Sequence, residues 1–260
     1  MTSRGDHESR EGSAFTVSPG AVVKTGRVLY AFSHFYLPFY GHEPIDIFWS
    51  FDPFAWISAF VYDVDEGMEC GTDVGAGLDR LDELRGYLAD RLKVDAAIDQ
   101  LFDDARRYYR FERRVRNADA AYAIDELVSI ARARSFDFRL MHRALSQRHA
   151  PEYREELFAW FRSLELLMEI EDDASSVRVD AERGTFNILV LAERISGDNG
   201  LKLIGQLRKE AEIDLWERST VFPEQDKVIV EQVLAAYRHV VPEPVMMPAR
   251  AKQRESVVRA

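Results

Sequence analysis

The chain has 260 residues, 47% apolar and 30% charged, with a formal net charge of −11 at pH 7; this is enough length for one sizeable core and an ordinary composition for a globular protein. The acidic balance argues against a nucleic-acid binder working through phosphate contacts, but leaves room for a phosphorylated small substrate held through metal ions. Apolar runs fall short of the roughly 20 residues that span a bilayer, the N-terminal MTSRGDHESREGSAF lacks a secretory apolar segment, and the single cysteine, Cys70, excludes an internal disulfide framework, so a cytoplasmic protein without a membrane span is expected.

Residues 1–21 are polar, with little to bury, and read as a disordered tail. The folded unit is expected over 22–240. Its first part, Tyr30 to Tyr62, is crowded with aromatic residues, including Phe32, Phe35, Tyr36, Phe54, Trp56 and Phe60. These suit either a core of large rings or the wall of an apolar cavity. Leu78, Leu81, Leu84, Leu88 and Leu92 then recur at three- and four-residue intervals, an amphipathic helix, and Ala121, Ile124, Leu127, Val128 and Ala131 repeat the pattern. Pro151 stands where proline suits a first helical turn, opening a segment that continues to about Glu182. Gly184 reads as its C-cap and Thr185 as the next N-cap. Two more helices follow, near 200–219 and 224–240, with Pro223 at the start of the second. Alternating strands and internal repeats are lacking, so the expected architecture is all-α, a single domain of eight to ten helices. Residues 241–260 hold Pro242, Pro244 and Pro248 and a basic tail that leaves the domain.

Chemistry concentrates in EIEDDASSVRVDAERGTFN, Glu169–Asn187, where a helix carrying Phe158, Phe161, Leu164 and Met168 turns acidic. A four-residue step advances about 40° around an α-helix, so Asp172, Ser176 and Asp180 fall on successive turns along one flank. They are hard oxygen donors of the kind Mg²⁺ takes alongside water and phosphate. Acids late in a helix oppose its dipole and are costly beside an apolar stripe; a cation relieves both. The segment Asp172-Asp173-Ala174-Ser175-Ser176-Val177-Arg178-Val179-Asp180 resembles the second metal motif of class I terpene synthases, N/D-D-x-x-S/T-x-x-x-E/D, and Arg183-Gly184-Thr185-Phe186-Asn187 resembles what trails it in bacterial members.

The resemblance implies a single-domain helical bundle of the class I isoprenoid-synthase type with a central apolar cavity. It implies Mg²⁺ bound by Asp172, Ser176 and Asp180, and a prenyl diphosphate substrate of sesquiterpene or diterpene size converted to a hydrocarbon or alcohol. It also implies a facing motif, D-D-x-x-D/E, for which Asp65-Glu66-Gly67-Met68-Glu69 is the candidate, with Asp65 and Glu69 as ligands and Asp63 a nearby alternative. This stretch departs from the pattern in having Glu66 at the second position and Gly67 inside the motif. The separation of 107 positions from Asp65 to Asp172 is shorter than the family's usual interval. Among Arg132, Arg134, Arg139 and Arg143, the expected diphosphate-binding arginine is Arg139, which stands within apolar SFDFRLMHRAL. Arg183, the reversed pair Tyr237-Arg238, and Trp56 and Phe60 of the aromatic run complete the expected substrate contacts, and a homodimer is the expected assembly.

Three alternatives stand beside this reading: a prenyltransferase or squalene/phytoene-synthase-like enzyme of the same fold, a noncatalytic isoprenoid-binding protein, and a Mg²⁺-dependent helical pyrophosphohydrolase. No HExxH, paired ExxH or phosphate-binding glycine loop occurs, and Cys70 has no catalytic partner in sequence.

Overall fold

The computed structural model describes residues 16–69, 74–116, 122–149 and 154–238, with the backbone alone for 49–51, 69 and 74. Among them are ten α-helices and no strand: α1 Pro19–Phe35, α2 Phe51–Glu69, α3 Val74–Ala89, α4 Ala96–Arg116, α5 Ile124–Ala131, α6 Phe136–His149, α7 Glu155–Arg183, α8 Ile188–Ser196, α9 Asp198–Ser219 and α10 Glu224–Ala236. Two 3-10 segments, Leu37–Tyr40 and Pro44–Ser50, link α1 to α2. None of the described helices is long and apolar enough to cross a membrane. The expected tails lie largely outside the described residues, as do Pro151, Ala121 and Cys70.

Capping chemistry sets the boundaries. The Ser18 hydroxyl accepts from the Ala21 amide and Pro19 occupies the first turn, so α1 starts just ahead of the expected domain edge. Gly67 leaves α2 unbroken as far as Glu69. The longest helix, α7, has 29 residues and ends at Gly184, whose φ of 66° suits glycine and whose amide donates to the Asp180 carbonyl. The cap of α8 is not Thr185 but Asn187, whose side chain accepts from the Leu189 and Val190 amides at 3.1 and 3.2 Å. Thr185 fails as the cap because its hydroxyl is turned back to Asp180.

Two apolar clusters hold the helices. The larger contains Leu81, Leu84, Leu88, Phe102, Trp160 and Phe161, and takes in most of the leucine stripe and the buried rings Phe32, Phe54 and Phe60. The smaller joins α5, α8 and α9 through Leu127, Ile130, Leu191, Ile204 and Leu207. Here α9 crosses α8 at Gly200, where a Cβ would lie 2.0 Å from the Ala192 carbonyl oxygen. Because α9 also packs along α7, this close approach fixes the helix that carries the acidic flank.

Candidate functional site

A pocket of about 740 Å³ opens between α1, α2, α4, α6 and α7, closed further by Thr185, Phe186 and Tyr237. On α7 its lining repeats by turns: Phe161, Glu165, Glu169, then Asp172 and Asp173, Ser176 and Asp180. The apolar side of the pocket is built by Phe35 and the C-cap residue Tyr36 at the end of α1, Phe138 of α6, and Phe161, Leu164 and Met168 of α7. Nine carboxylates line it against two cations, Lys24 and Arg134; Glu112, Glu165 and Glu171 also pair with Arg116, Arg139 and Arg208 behind the lining, so acids still outnumber the cations around the site.

The second acidic stretch forms the rim. Ser176 Oγ–H donates to Asp180 Oδ2, Asn187 Nδ2–H donates to the same oxygen at 2.9 Å, and Thr185 Oγ1–H reaches Oδ1 at 3.0 Å. Partial burial favours the neutral acid, but the bonds from Asn187, Ser176 and Thr185 outweigh it and hold Asp180 below its ordinary range. Asp172, two turns before Asp180, is exposed, and partial desolvation and the Glu169 carboxylate push it upward. Asp173 points the other way. It is buried, accepts from the Ile188 amide at 2.7 Å and from Arg134 Nη1 at 2.8 Å, and thereby ties α7 to the start of α8. Burial raises it to about 6 against the pull of Arg134.

The first stretch divides differently. Only Asp65 reaches the pocket among its described side chains. Its Oδ1 accepts from Tyr109 Oη–H at 2.8 Å, and burial, followed by the Glu112 carboxylate, raises it to about 7 despite that bond. Asp63 is bound by the Ser18 amide and Arg80, and Glu66 by the Ser18 hydroxyl, so both brace α2 against the start of α1. The side chain of Glu69 lies outside the described residues. The two stretches nonetheless meet electrostatically: the half-buried Tyr62 hydroxyl is pushed up by desolvation and then by Asp137, Asp65, Glu169 and Asp172 together.

Arg134, rather than Arg139, is the pocket arginine. Its Nη2 lies 2.7 Å from Glu169, its Nη1 contacts Asp173, and its plane lies 5.0 Å from the Phe186 ring centroid. Burial disfavours the cation, yet Glu169 and Asp173 overcome this and hold its pKa above the ordinary range. The next residue, Ser135, has φ of 58°, the left-handed region that a serine rarely adopts, and its hydroxyl donates to Glu169. That strained turn brings Arg134 and Asp137 to the pocket from either side of the α6 start. Arg139 is buried beneath it, 3.1 Å from Glu165 and off the pocket lining, so the apolar context that recommended it reflects an internal ion pair.

The remaining expected contacts separate. Tyr237 lines the pocket, its ring 5.0 Å from Phe35. Trp56 donates to Asp52, Phe60 is buried under Arg80, and Arg183 and Arg238 are exposed; none of the four lines the pocket. Tyr108, Tyr109 and Glu112 of α4, with Asp137 and Glu165, enter the site unannounced by the two motifs. Their signal was present for Glu165, which extends the four-residue ladder of α7 back by one turn from Glu169. The α4 residues carry no acid ladder of that kind; they enter the site on the flank that buries Phe102, Ala105 and Tyr109.

Among the described residues, no three His, Cys, Asp or Glu side chains converge as a metal cage. The donors along α7 are of a different make, two carboxylates and a hydroxyl, leaving the other positions of an octahedral cation to water and phosphate oxygens. Hard oxygens are present, and the like charges that push Asp172 upward are what a divalent cation relieves. In this chemical sense the residues fit Mg²⁺. No protein-family model, curated protein or solved structure matches the chain.

Proposed function

We propose that the protein is a small Mg²⁺-dependent class I terpene synthase, which ionises a sesquiterpene- or diterpene-sized prenyl diphosphate and releases a terpene hydrocarbon or alcohol. The observation that carries this reading is that Asp65 of the first acidic stretch and Asp172, Ser176 and Asp180 of the second line one pocket, together with Arg134 and an aromatic wall.

In this reading Asp172, Ser176 and Asp180 would hold Mg²⁺ on one side and Asp65 on the other. Metal bound there supplies positive charge to the departing diphosphate. Arg134 adds N–H donors that are oriented before substrate arrives, because Glu169 and Asp173 already fix the guanidinium. Lys24 offers a second cation on α1. Past the charged mouth, Phe35, Tyr36, Phe138 and Phe161 exclude water from the allylic cation and present ring faces to it.

The test is incubation of the protein with geranyl, farnesyl and geranylgeranyl diphosphates and Mg²⁺, following diphosphate release and organic products. The expected result is a terpene hydrocarbon or alcohol, lost on chelation and lost in Asp172→Ala and Asp180→Ala. A longer prenyl diphosphate as product would move the assignment to a prenyltransferase. Failure to consume any of the three, or hydrolysis of a nucleotide to its monophosphate instead, would overturn the proposal.

A further inference from the structure

Glu165 lies on the pocket-facing flank of α7, two turns before Asp172, which is about 10 Å along the helix axis. That displacement puts it beside the apolar lining, among Tyr36, Phe161, Leu164 and Met168, instead of at the charged rim. It is 5% exposed. One carboxylate oxygen, Oε1, accepts from Tyr36 Oη–H at 2.9 Å, and the Tyr36 ring is itself held by stacking on Phe161 at 3.8 Å between centroids. The other oxygen, Oε2, accepts no hydrogen bond. Arg139 Nε is 3.1 Å away, but that nitrogen also makes no hydrogen bond, so the ion pair is misaligned.

Buried carboxylates held for structure alone have their oxygens satisfied, since an unmet acceptor costs about 1–3 kcal/mol. Asp173 Oδ2, which accepts from both Arg134 and the Ile188 amide, is an oxygen of that kind, whereas Glu165 Oε2 is buried and accepts nothing. Asp137, the other buried acid near the start of α6, is stabilised by the Phe138 amide. Glu165 is therefore the pocket carboxylate with unused accepting capacity next to the hydrocarbon-sized space.

Resting on the terpene-synthase reading, we infer that Glu165 is the proton acceptor that ends the reaction. A C–H bond beside the cationic carbon breaks, its electron pair becomes the new C=C bond, and the proton passes to the Glu165 carboxylate. The carboxylic acid so formed returns the proton to water once the product has left. Tyr36 positions the carboxylate by its hydrogen bond, and Arg139 favours its charged form before the transfer. Burial raises the Glu165 acid to about 7 against Arg139 and Tyr36, so it can be recharged near neutral pH.

Wild type, Glu165→Gln and Glu165→Asp are compared with farnesyl and geranylgeranyl diphosphates and Mg²⁺, measuring released diphosphate and product composition separately. In Glu165→Gln, diphosphate release slows but continues, and the wild-type alkene formed per diphosphate falls at least about tenfold, with alcohols or different alkene isomers in its place. Glu165→Asp keeps the charge but withdraws it by one methylene, and its product mixture lies between the two. The role is overturned by an unchanged hydrocarbon yield and isomer set in Glu165→Gln or, should that variant not fold by circular dichroism, in Glu165→Asp. Complete loss of diphosphate release from folded Glu165→Gln overturns it as well. In each of those cases wild-type turnover leaves the terpene reading standing, whereas a wild type that releases no diphosphate removes both.

Discussion

Asp65 and Asp180 border the same pocket in opposite electrostatic states. Asp65 is recessed between α2 and α4, meets a single tyrosine hydroxyl and faces the Glu112 carboxylate, so its acid is pushed to about 7. Asp180 sits at the rim with three donors converging on its two oxygens and is held below its ordinary range. Both were picked out by the same four-residue spacing of acids and hydroxyls. Spacing determines which side chains share a flank; hydration and donor supply determine which of them are ready anions. The rim acid is charged without help, while the recessed one gains most from an incoming cation.

The largest expected effect separates Asp173 from its neighbour Asp172. Asp173→Ala removes the acceptor for the Ile188 amide and leaves the half-buried Arg134 with Glu169 alone. Breaking such a buried pair costs about 3–5 kcal/mol, on the order of a 10 °C drop in Tm for a domain of this size. Asp172→Ala removes an exposed carboxylate from a like-charged group and leaves Tm unchanged or slightly higher, while prenyl diphosphate turnover falls about 10²–10³-fold. Equal melting losses in the two variants would dissolve the distinction between a bracing and a ligand-facing acid.

Next comes Gly200→Ala. The added methyl meets the Ala192 carbonyl oxygen, which is backbone and cannot swing aside. Forcing α8 and α9 apart costs about 1–3 kcal/mol, read as a lower denaturation midpoint with an unchanged m-value. The strain enters on the α8–α9 side of α7, so the rim loses order before Asp65 does.

How far the residues announced this arrangement follows from range of action. The helical architecture, the long α7 and its Gly184 stop were legible because periodicity and capping act within a turn or two. The pocket-facing flank of α7 was legible for the same reason. Arg139 misled because its apolar surroundings are explained by Glu165 on another helix, a pairing across the fold that local sequence does not display. Arg134 owes its place to a left-handed Ser135, a backbone state that serine does not advertise as glycine would. Tyr109 and Glu112 belong to no local motif: both are buried and line the pocket because the α4 stripe packs inward, a placement set by the fold and not by neighbouring residues.

A smaller effect tests the charge states directly. Asp65, Glu165, Asp137 and Asp173 all have folded-state values of about 6 to 7, above the unfolded carboxylate range near 4. The folded protein therefore binds more protons than the unfolded chain between these values. The stability from these groups is complete below about pH 4 and is lost as pH rises through 6 to 7. Without divalent ions, Tm is expected to fall from pH 5.5 to pH 8, and Asp65→Asn to flatten part of that fall. Asp180, held low, contributes in the opposite sense, losing its share only as pH drops below the ordinary carboxylate range. At pH 8, Mg²⁺ at ten times its Kd restores about 1.4 kcal/mol. A Tm that rises from pH 5.5 to 8, or that ignores Mg²⁺, would leave the pocket acids without the burden assigned to them.

The smallest effect falls on Glu66, the second acid of the first stretch. A family-like reading of D-E-x-x-E by letter alone counts it among the ligands, yet its carboxylate accepts from Ser18 at the start of α1 and does not line the pocket. Glu66→Gln keeps an acceptor for that hydroxyl, so the expected cost is about 1 kcal/mol or less, and turnover of a prenyl diphosphate changes by less than about threefold. Ser18→Ala removes the same contact from the other side and also the cap on the Ala21 amide. The double variant is therefore expected to cost less than the two singles added together, because they share one interaction. A loss of turnover in Glu66→Gln as deep as that of Asp65→Asn would mean that the α2 end rotates to bring both acids inward. Asp65 would then no longer differ from Glu66 by the direction it faces.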